Sequence, residues 1–269
     1  MERNETRKAI AKDGLVYGPV HSRRLGLSLG LNICPTARKQ CSFDCIYCEC
    51  GSRPPLLTVT AAEAWPAPLQ VEEALAQALR RVQAVDCITF AGNGEPTLHP
   101  AFAEIVTRVR RLRDAQAPGL KLVLLSNASG LRQEGVRAAL PLIDLPILKL
   151  DAGTEETFQQ INRPAAPLSL ADILDCLKTL SHYFLQSLFV AGRYSNIDEQ
   201  SVSAWIDRVG ELAPQGVQIY SLDRTAPVRG LAPVALETLQ SIADRLRARI
   251  DIPVSVFASS VQKMKIGNK

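Results

Sequence analysis

Short apolar runs alternate along the chain with longer stretches in which apolar residues recur three and four positions apart. The runs predict strands over residues 27–33, 87–91, 120–125, 145–150, 187–191 and 217–222, with one more short apolar segment at 254–257. Helical spacing predicts helices between them, at 71–82, 102–114, 131–140, 168–180, 201–212 and 236–248. In the first of these, Leu75, Ala78, Leu79 and Val82 make the apolar face. Strands alternating with helices predict a parallel sheet whose outer face the helices cover. The fold class expected is therefore α/β, a partial (β/α)6 TIM-like barrel. Barrels of this kind carry their chemistry where strands end. Here the segments just after the strands hold a group of cysteines, Glu95, Ser126, Asn127, Asp151 and Arg193.

Length and composition narrow this picture. A chain of 269 residues, 46% hydrophobic, can bury one large core, so a single domain over 1–269 is expected. Proline-rich stretches around Arg53 to Pro55 and Trp65 to Pro68 read as an irregular excursion. No apolar run is long enough to span a bilayer, and the polar residues Met1 to Glu5 lack the apolar core of a signal peptide. A cytoplasmic protein is expected. The net charge of +4, with arginine outnumbering lysine, is compatible with an anionic partner such as RNA without requiring one. Arg108, Arg110, Arg111 and Arg113 read as a solvated helix face.

The seven cysteines point to a reducing compartment, because their number is odd and three are grouped. Cys41, Cys45 and Cys48 are spaced C-x3-C-x2-C in one loop after the first predicted strand. Thiolates are soft ligands that select zinc, copper(I) or iron–sulfur clusters. Four sulfurs, with Cys34 added, could close a tetrahedral zinc site. Three leave one iron of a four-iron cube unclaimed by protein. A second signal is Gly92-Asn93-Gly94-Glu95-Pro96, where glycines admit close backbone approach and a carboxylate can accept hydrogen bonds from an ammonium group. His21, His99 and His182 are scattered and form no readable metal pair. Cys87 and Cys176 read as small core residues.

The cysteine loop, with Tyr47 before its last cysteine, resembles the cluster loop of the radical S-adenosylmethionine (SAM) superfamily. Gly94-Glu95 resembles the family's GGE-like motif. Further runs at 18–26, 92–100, 149–164 and 217–224 resemble a group related to the enzymes that form the wyosine tricycle on guanosine of tRNA, and the likeness covers about 15–250. The resemblance implies a [4Fe–4S] cluster on Cys41, Cys45 and Cys48. It implies SAM bound by Tyr47, Gly94, Glu95, Ser126, Asn127, Asp151 and Arg193, with Tyr47 near the adenine. The implied activity is reductive cleavage of SAM to a 5′-deoxyadenosyl radical, fed by a flavodoxin- or ferredoxin-type electron donor, with tRNA or another RNA as substrate. Two other readings stand beside it: radical modification of a peptide, protein or small metabolite, and a zinc-stabilised binding module without catalysis. Lys149 reads either as an imine-forming amine or as a salt-bridged lysine. The additional upstream cysteines of the wyosine-forming enzymes have no counterpart before Cys34.

Overall fold

The computed structural model describes residues 14–35, 38–52, 54–55, 65–82, 84–224 and 226–257. Its chain divides into two compact units, Met1–Cys41 with Leu56–Ile147, and Ser42–Pro55 with Leu148–Lys269.

The first unit opens with β1 (Val16–Ser22) antiparallel to β2 (Gly26–Leu31), paired from Val16 opposite Leu31 to Ser22 opposite Gly26. β1 lies in a stretch whose polar residues carry no strand signal. It forms because Ser22 Oγ accepts the backbone N–H groups of Arg24 and Leu25, at 3.3 and 3.2 Å, and closes the turn. α1 (Pro68–Leu79) begins with proline, whose missing N–H costs nothing there, and buries Val71, Ala74, Leu75 and Ala78 along one stripe. β3 (Cys87–Phe90) runs parallel to β2, and β4 (Lys121–Ser126) parallel to β3. Every residue of β3 is buried, as expected for a strand covered on both faces.

Between those strands α2 (Phe102–Gln116) buries Phe102, Ile105, Val106 and Val109, and packs against α1. Its arginines are not all the solvated face that sequence predicts. Arg113 is only 4% exposed; it donates to Asp144 Oδ2 at 2.6 Å, to Asp114 at 2.7 Å and to the Leu120 carbonyl. Burial alone would push the Asp144 carboxyl up, but the Arg113 and Leu122 hydrogen bonds overcome it and hold it below its usual range. The stretch expected as one helix at 131–140 is instead a 3-10 turn, then α3 (Glu134–Ala139), then a second 3-10 turn containing Pro141. β5 (Leu145–Lys149) carries the chain into the second unit.

In the second unit α4 (Glu155–Ile161) is capped by Thr154, whose hydroxyl accepts the Thr157 N–H. The sequence reading passes over this helix because two turns are too short to show a period. α5 (Leu170–Lys178) starts with a reciprocal Ser169–Asp172 capping box. Cys176 on it is half-buried, less than the core position expected, whereas Cys87 is buried. β6 (Phe184–Gly192), β7 (Val217–Ser221) and β9 (Val254–Phe257) are parallel neighbours in that order. α6 (Glu199–Leu212) follows β6, capped by Asp198. The short β8 (Leu231–Pro233) runs antiparallel to the end of β6. α7 (Leu236–Arg249) packs on β7 and β9.

Candidate functional site

In the first unit the site begins where β2 and β3 end. Asn32 Oδ1 accepts the backbone N–H of Cys34 at 3.2 Å and of Asn93 at 3.0 Å. Asn93 Nδ2 donates to the Pro35 carbonyl at 3.1 Å. Gln40 then lies as a bridge against the turn: its N–H donates to the Asn93 carbonyl, and its carbonyl accepts the Glu95 N–H at 2.8 Å. Gly94 is required here. Its φ is +157°, and a Cβ would stand 1.7 Å from the Gln40 carbonyl oxygen. A Cβ at Gly92 would likewise stand 2.2 Å from Asn32 Oδ1. These contacts hold the segment leading into Cys41 on the Gly-x-Gly-Glu turn.

Glu95, 2% exposed, is the centre of this half. Its Oε1 accepts the Thr97 N–H at 3.1 Å, the Thr97 hydroxyl at 2.6 Å and the Ser126 hydroxyl at 2.7 Å. Its Oε2 accepts the Asn127 N–H at 2.7 Å. Burial raises the Glu95 carboxyl above its ordinary value, and the four hydrogen bonds oppose that rise. No lysine, arginine or histidine among the described residues pairs with it. Ser126 and Asn127, expected as SAM contacts, are thus spent in part on orienting Glu95. Asn127 Nδ2 also lies 3.6 Å from Cys41 Sγ. Burial pushes the Cys34 thiol well up, with Glu95 and Cys41 adding to the effect.

In the second unit the segment 42–46 is laid beside residues 161–165. Asp44 N donates to the Arg163 carbonyl, Ile46 N to the Ile161 carbonyl and Ala165 N to the Ser42 carbonyl, at 3.0, 3.0 and 2.9 Å. Ile46 is buried in a cluster with Ile161, Leu188, Val190, Tyr220 and Leu222, against which Tyr47 packs. Apolar burial of that one side chain anchors the loop between its last two cysteines. Asp151 accepts hydrogen bonds from the Tyr47 hydroxyl, from Asn162 Nδ2 at 2.7 Å and, on its other oxygen, from the Leu188 N–H at 2.8 Å. Lys149 Nζ stands 3.5 Å away. Desolvation and the facing carboxylate hold the Tyr47 phenol well above its usual range. Burial pushes the Cys45 thiol up to about 11, with Lys149 pulling the other way. A metal bound to such a thiol would take its proton outright.

Arg193 is exposed, its guanidinium 5.6 Å from the Tyr194 ring centre, and Arg163 stands at the same distance from that ring. Arg53 lies outside the described residues. His99 is structural: Nδ1 accepts the Ala101 N–H, and Nε2 pairs with the Pro66 carbonyl. None of the seven cysteines forms a disulfide. Among the described residues no three His, Cys, Asp or Glu side chains converge as on a single metal ion. A four-iron cube takes each thiolate on a different iron and does not require that convergence. Asn32, Gln40, Thr97 and Asn162 escaped the sequence reading. Each is a lone polar residue with no period or spacing to mark it, though Thr97 and Asn162 lie within the 92–100 and 149–164 runs.

Residues 39–203 match the model of the radical SAM superfamily, and the chain belongs to that superfamily. It is 30% identical over 265 residues to a UPF0026 protein of Synechocystis, a match covering 89% of this chain and 94% of that one. It is 27% identical over 261 residues to a Brachyspira hyodysenteriae protein named GTPase Obg, covering 95% of this chain but 37% of that one. Among solved structures, SuiB of Streptococcus suis bound to S-adenosylmethionine is similar with a TM-score of 0.61 at 13% identity, over 86% of this chain and 50% of SuiB. TYW1 with a lysine–pyruvate adduct bound is similar with a TM-score of 0.57 at 16% identity, over 82% of this chain and 73% of that one. The chain thus spans 37% of one of these relatives and half of SuiB. These likenesses show the fold, the partial (β/α)6 barrel of radical SAM enzymes. The protein is an enzyme of this superfamily, whose cofactors are a [4Fe–4S] cluster and SAM.

Proposed function

We propose that this chain cleaves SAM reductively and uses the resulting radical to modify RNA. The observation that carries the first half is Glu95, a buried carboxylate with four neutral donors and, among the described residues, no cation of its own. Each carboxylate oxygen has about two lone-pair sites; three donors crowd Oε1, whereas Oε2 accepts one hydrogen bond among the described residues and keeps a site for an ammonium donor. The SAM amino group supplies that charge, and Gly94 lets it approach the backbone. Ser126 and Asn127 keep the carboxylate turned toward it. Tyr47, Asp151 and Arg193 are assigned to the same cofactor on the resemblance of their positions. Cys41, Cys45 and Cys48 fit the cluster. They are three thiols within eight residues; Cys41 and Cys48 are half-buried, and Cys45 is buried. When bound, the cluster supplies the electron that breaks the sulfonium carbon–sulfur bond to give a 5′-deoxyadenosyl radical. The electron comes to it from a flavodoxin- or ferredoxin-type protein.

Support for RNA comes from the net charge of +4 and from Arg163 and Arg193 on Tyr194. Neither guanidinium pairs with a carboxylate among the described residues, and planar cations beside an aromatic ring suit phosphates and unstacked bases. The test is anaerobic. Reconstituted protein is mixed with bulk tRNA over a salt series, then with SAM and a reductant, followed by nucleoside analysis. Affinity should fall with salt at a log–log slope of about −0.9 per duplex phosphate contact. 5′-Deoxyadenosine should form, and replacement of Cys41, Cys45 and Cys48 by Ala should abolish both iron loading and SAM cleavage. Salt-insensitive binding with no new nucleoside would turn the substrate reading to a peptide or metabolite. Full iron and sulfide loading of the triple variant would remove the cluster assignment.

A further inference from the structure

Two side-chain amides reach cysteine sulfurs. Asn162 Nδ2 lies 3.5 Å from Cys45 Sγ, and Asn127 Nδ2 lies 3.6 Å from Cys41 Sγ. In each case the identity of the atom facing sulfur follows from the other partners. Asp151 Oδ2, 2.7 Å from the Asn162 amide, can only accept, so the nitrogen must face it and the adjoining sulfur. Asn127 Oδ1 accepts the Ser129 N–H at 3.0 Å, which leaves Nδ2 for Cys41. Both amides are immobilised. Asn162 is 1% exposed, and its neighbours Ile161 and Arg163 hold the backbone on either side of Cys45. Asn127 is buried, and its backbone N–H is taken by Glu95.

We propose that Asn162 and Asn127 are positioning residues for electron uptake: each donates an N–H to an iron-ligating thiolate, Cys45 and Cys41 respectively. This rests on the assignment of those cysteines to the cluster. One-electron reduction adds negative charge that spreads onto the thiolates, and N–H donors to the sulfurs stabilise the reduced form more than the oxidised one. The two amides therefore raise the reduction potential and make the cluster easier for a donor protein to reduce. A purely mechanical role, fastening the loop, would leave the potential unchanged.

The experiment uses the full chain, reconstituted anaerobically, with two readouts on the reduced cluster. EPR-monitored titration gives its midpoint potential. Pulsed EPR after exchange into D2O gives the coupling of exchangeable deuterons to the cluster. Asn162→Leu and Asn127→Leu should each shift the reduction equilibrium toward the oxidised form by about three- to tenfold, tenfold being 59 mV for one electron. Each should also lose part of the deuteron signal seen in the unmodified protein. Unchanged potential and unchanged coupling in variants with full cluster content would overturn the proposal. Should either variant fail to load, the unmodified protein decides by itself: a loaded cluster with no exchangeable deuteron coupling overturns the assignment of both amides. Full cluster loading in Cys45→Ala is the separate result that would bring down the ligand reading beneath it.

Discussion

Glu95 in the first unit and Asp151 in the second are both buried carboxylates, each about 2% exposed, and they solve the problem of burial differently. Asp151 has its countercharge within its own unit: Lys149 stands 3.5 Å away, with Tyr47, Asn162 and the Leu188 N–H completing its hydrogen bonds. Among the described residues Glu95 has only neutral donors, from Thr97, Ser126 and Asn127. Neutral hydrogen bonds soften the cost of burying a charge but do not cancel it, which is why burial still lifts the Glu95 carboxyl. A carboxylate with its own lysine has its charge met within the protein, so any contact Asp151 makes with SAM need not be ionic. Glu95, with no cation beside it among the described residues, is the acid we propose as partner of the SAM ammonium.

The sharpest way to break this contrast is to neutralise each acid in turn. Glu95→Gln should weaken SAM binding by roughly ten- to a hundredfold, the worth of a charged hydrogen bond at about 1.5–3 kcal/mol. Isothermal titration of anaerobically loaded protein measures it, and an unchanged affinity would end the ammonium-partner reading. Asp151→Asn should act mainly on the fold, removing ionic hydrogen bonds to Tyr47, Asn162 and Leu188 at a cost of about 1.5–3 kcal/mol in urea unfolding. If this variant lost SAM affinity as severely as Glu95→Gln, the two acids would not differ in kind.

The smallest effect is on pH. Since the folded Glu95 carboxyl titrates above an unfolded glutamate's value of about 4.3, its contribution to the ligand-free fold is present below that value. It is lost as pH rises through the raised one. SAM binding through the proposed ammonium contact has the opposite sign, because that contact needs the ionised form. Affinity should therefore decline by a few-fold on acidification at a pH above the ordinary glutamate range, and this decline should be missing in Glu95→Gln.

Much of the arrangement is legible in the sequence. The alternation of apolar runs and helical spacing placed β3, β4, β6 and β7 within a few residues, since strands covered by helices must be apolar on both faces. β1, α4 and β8 were not legible. β1 has no continuous apolar run and α4 and β8 are short; they are held by a turn hydroxyl, a threonine cap and pairing to β6, none of which writes a period into the chain. Arg113 misled for a related reason, because a helical arginine looks solvated until the partner that buries it, Asp144, is brought up from thirty-one positions away.

The candidate site divides along the same line. Sequence by itself determined the cysteine triplet, the Gly-x-Gly-Glu turn and their positions after strands, because covalent spacing and backbone tolerance are local properties of the chain. Only the tertiary structure decided what each acid and amide does. Glu95 and Asp151 are both acids following a strand, and nothing adjacent to either says which will have a lysine beside it. Asn162 and Asn127 are ordinary residues until folding sets their amides against sulfur. Charge compensation and hydrogen-bond direction depend on through-space partners, and through-space partners exist only once distant segments of the chain have been packed together.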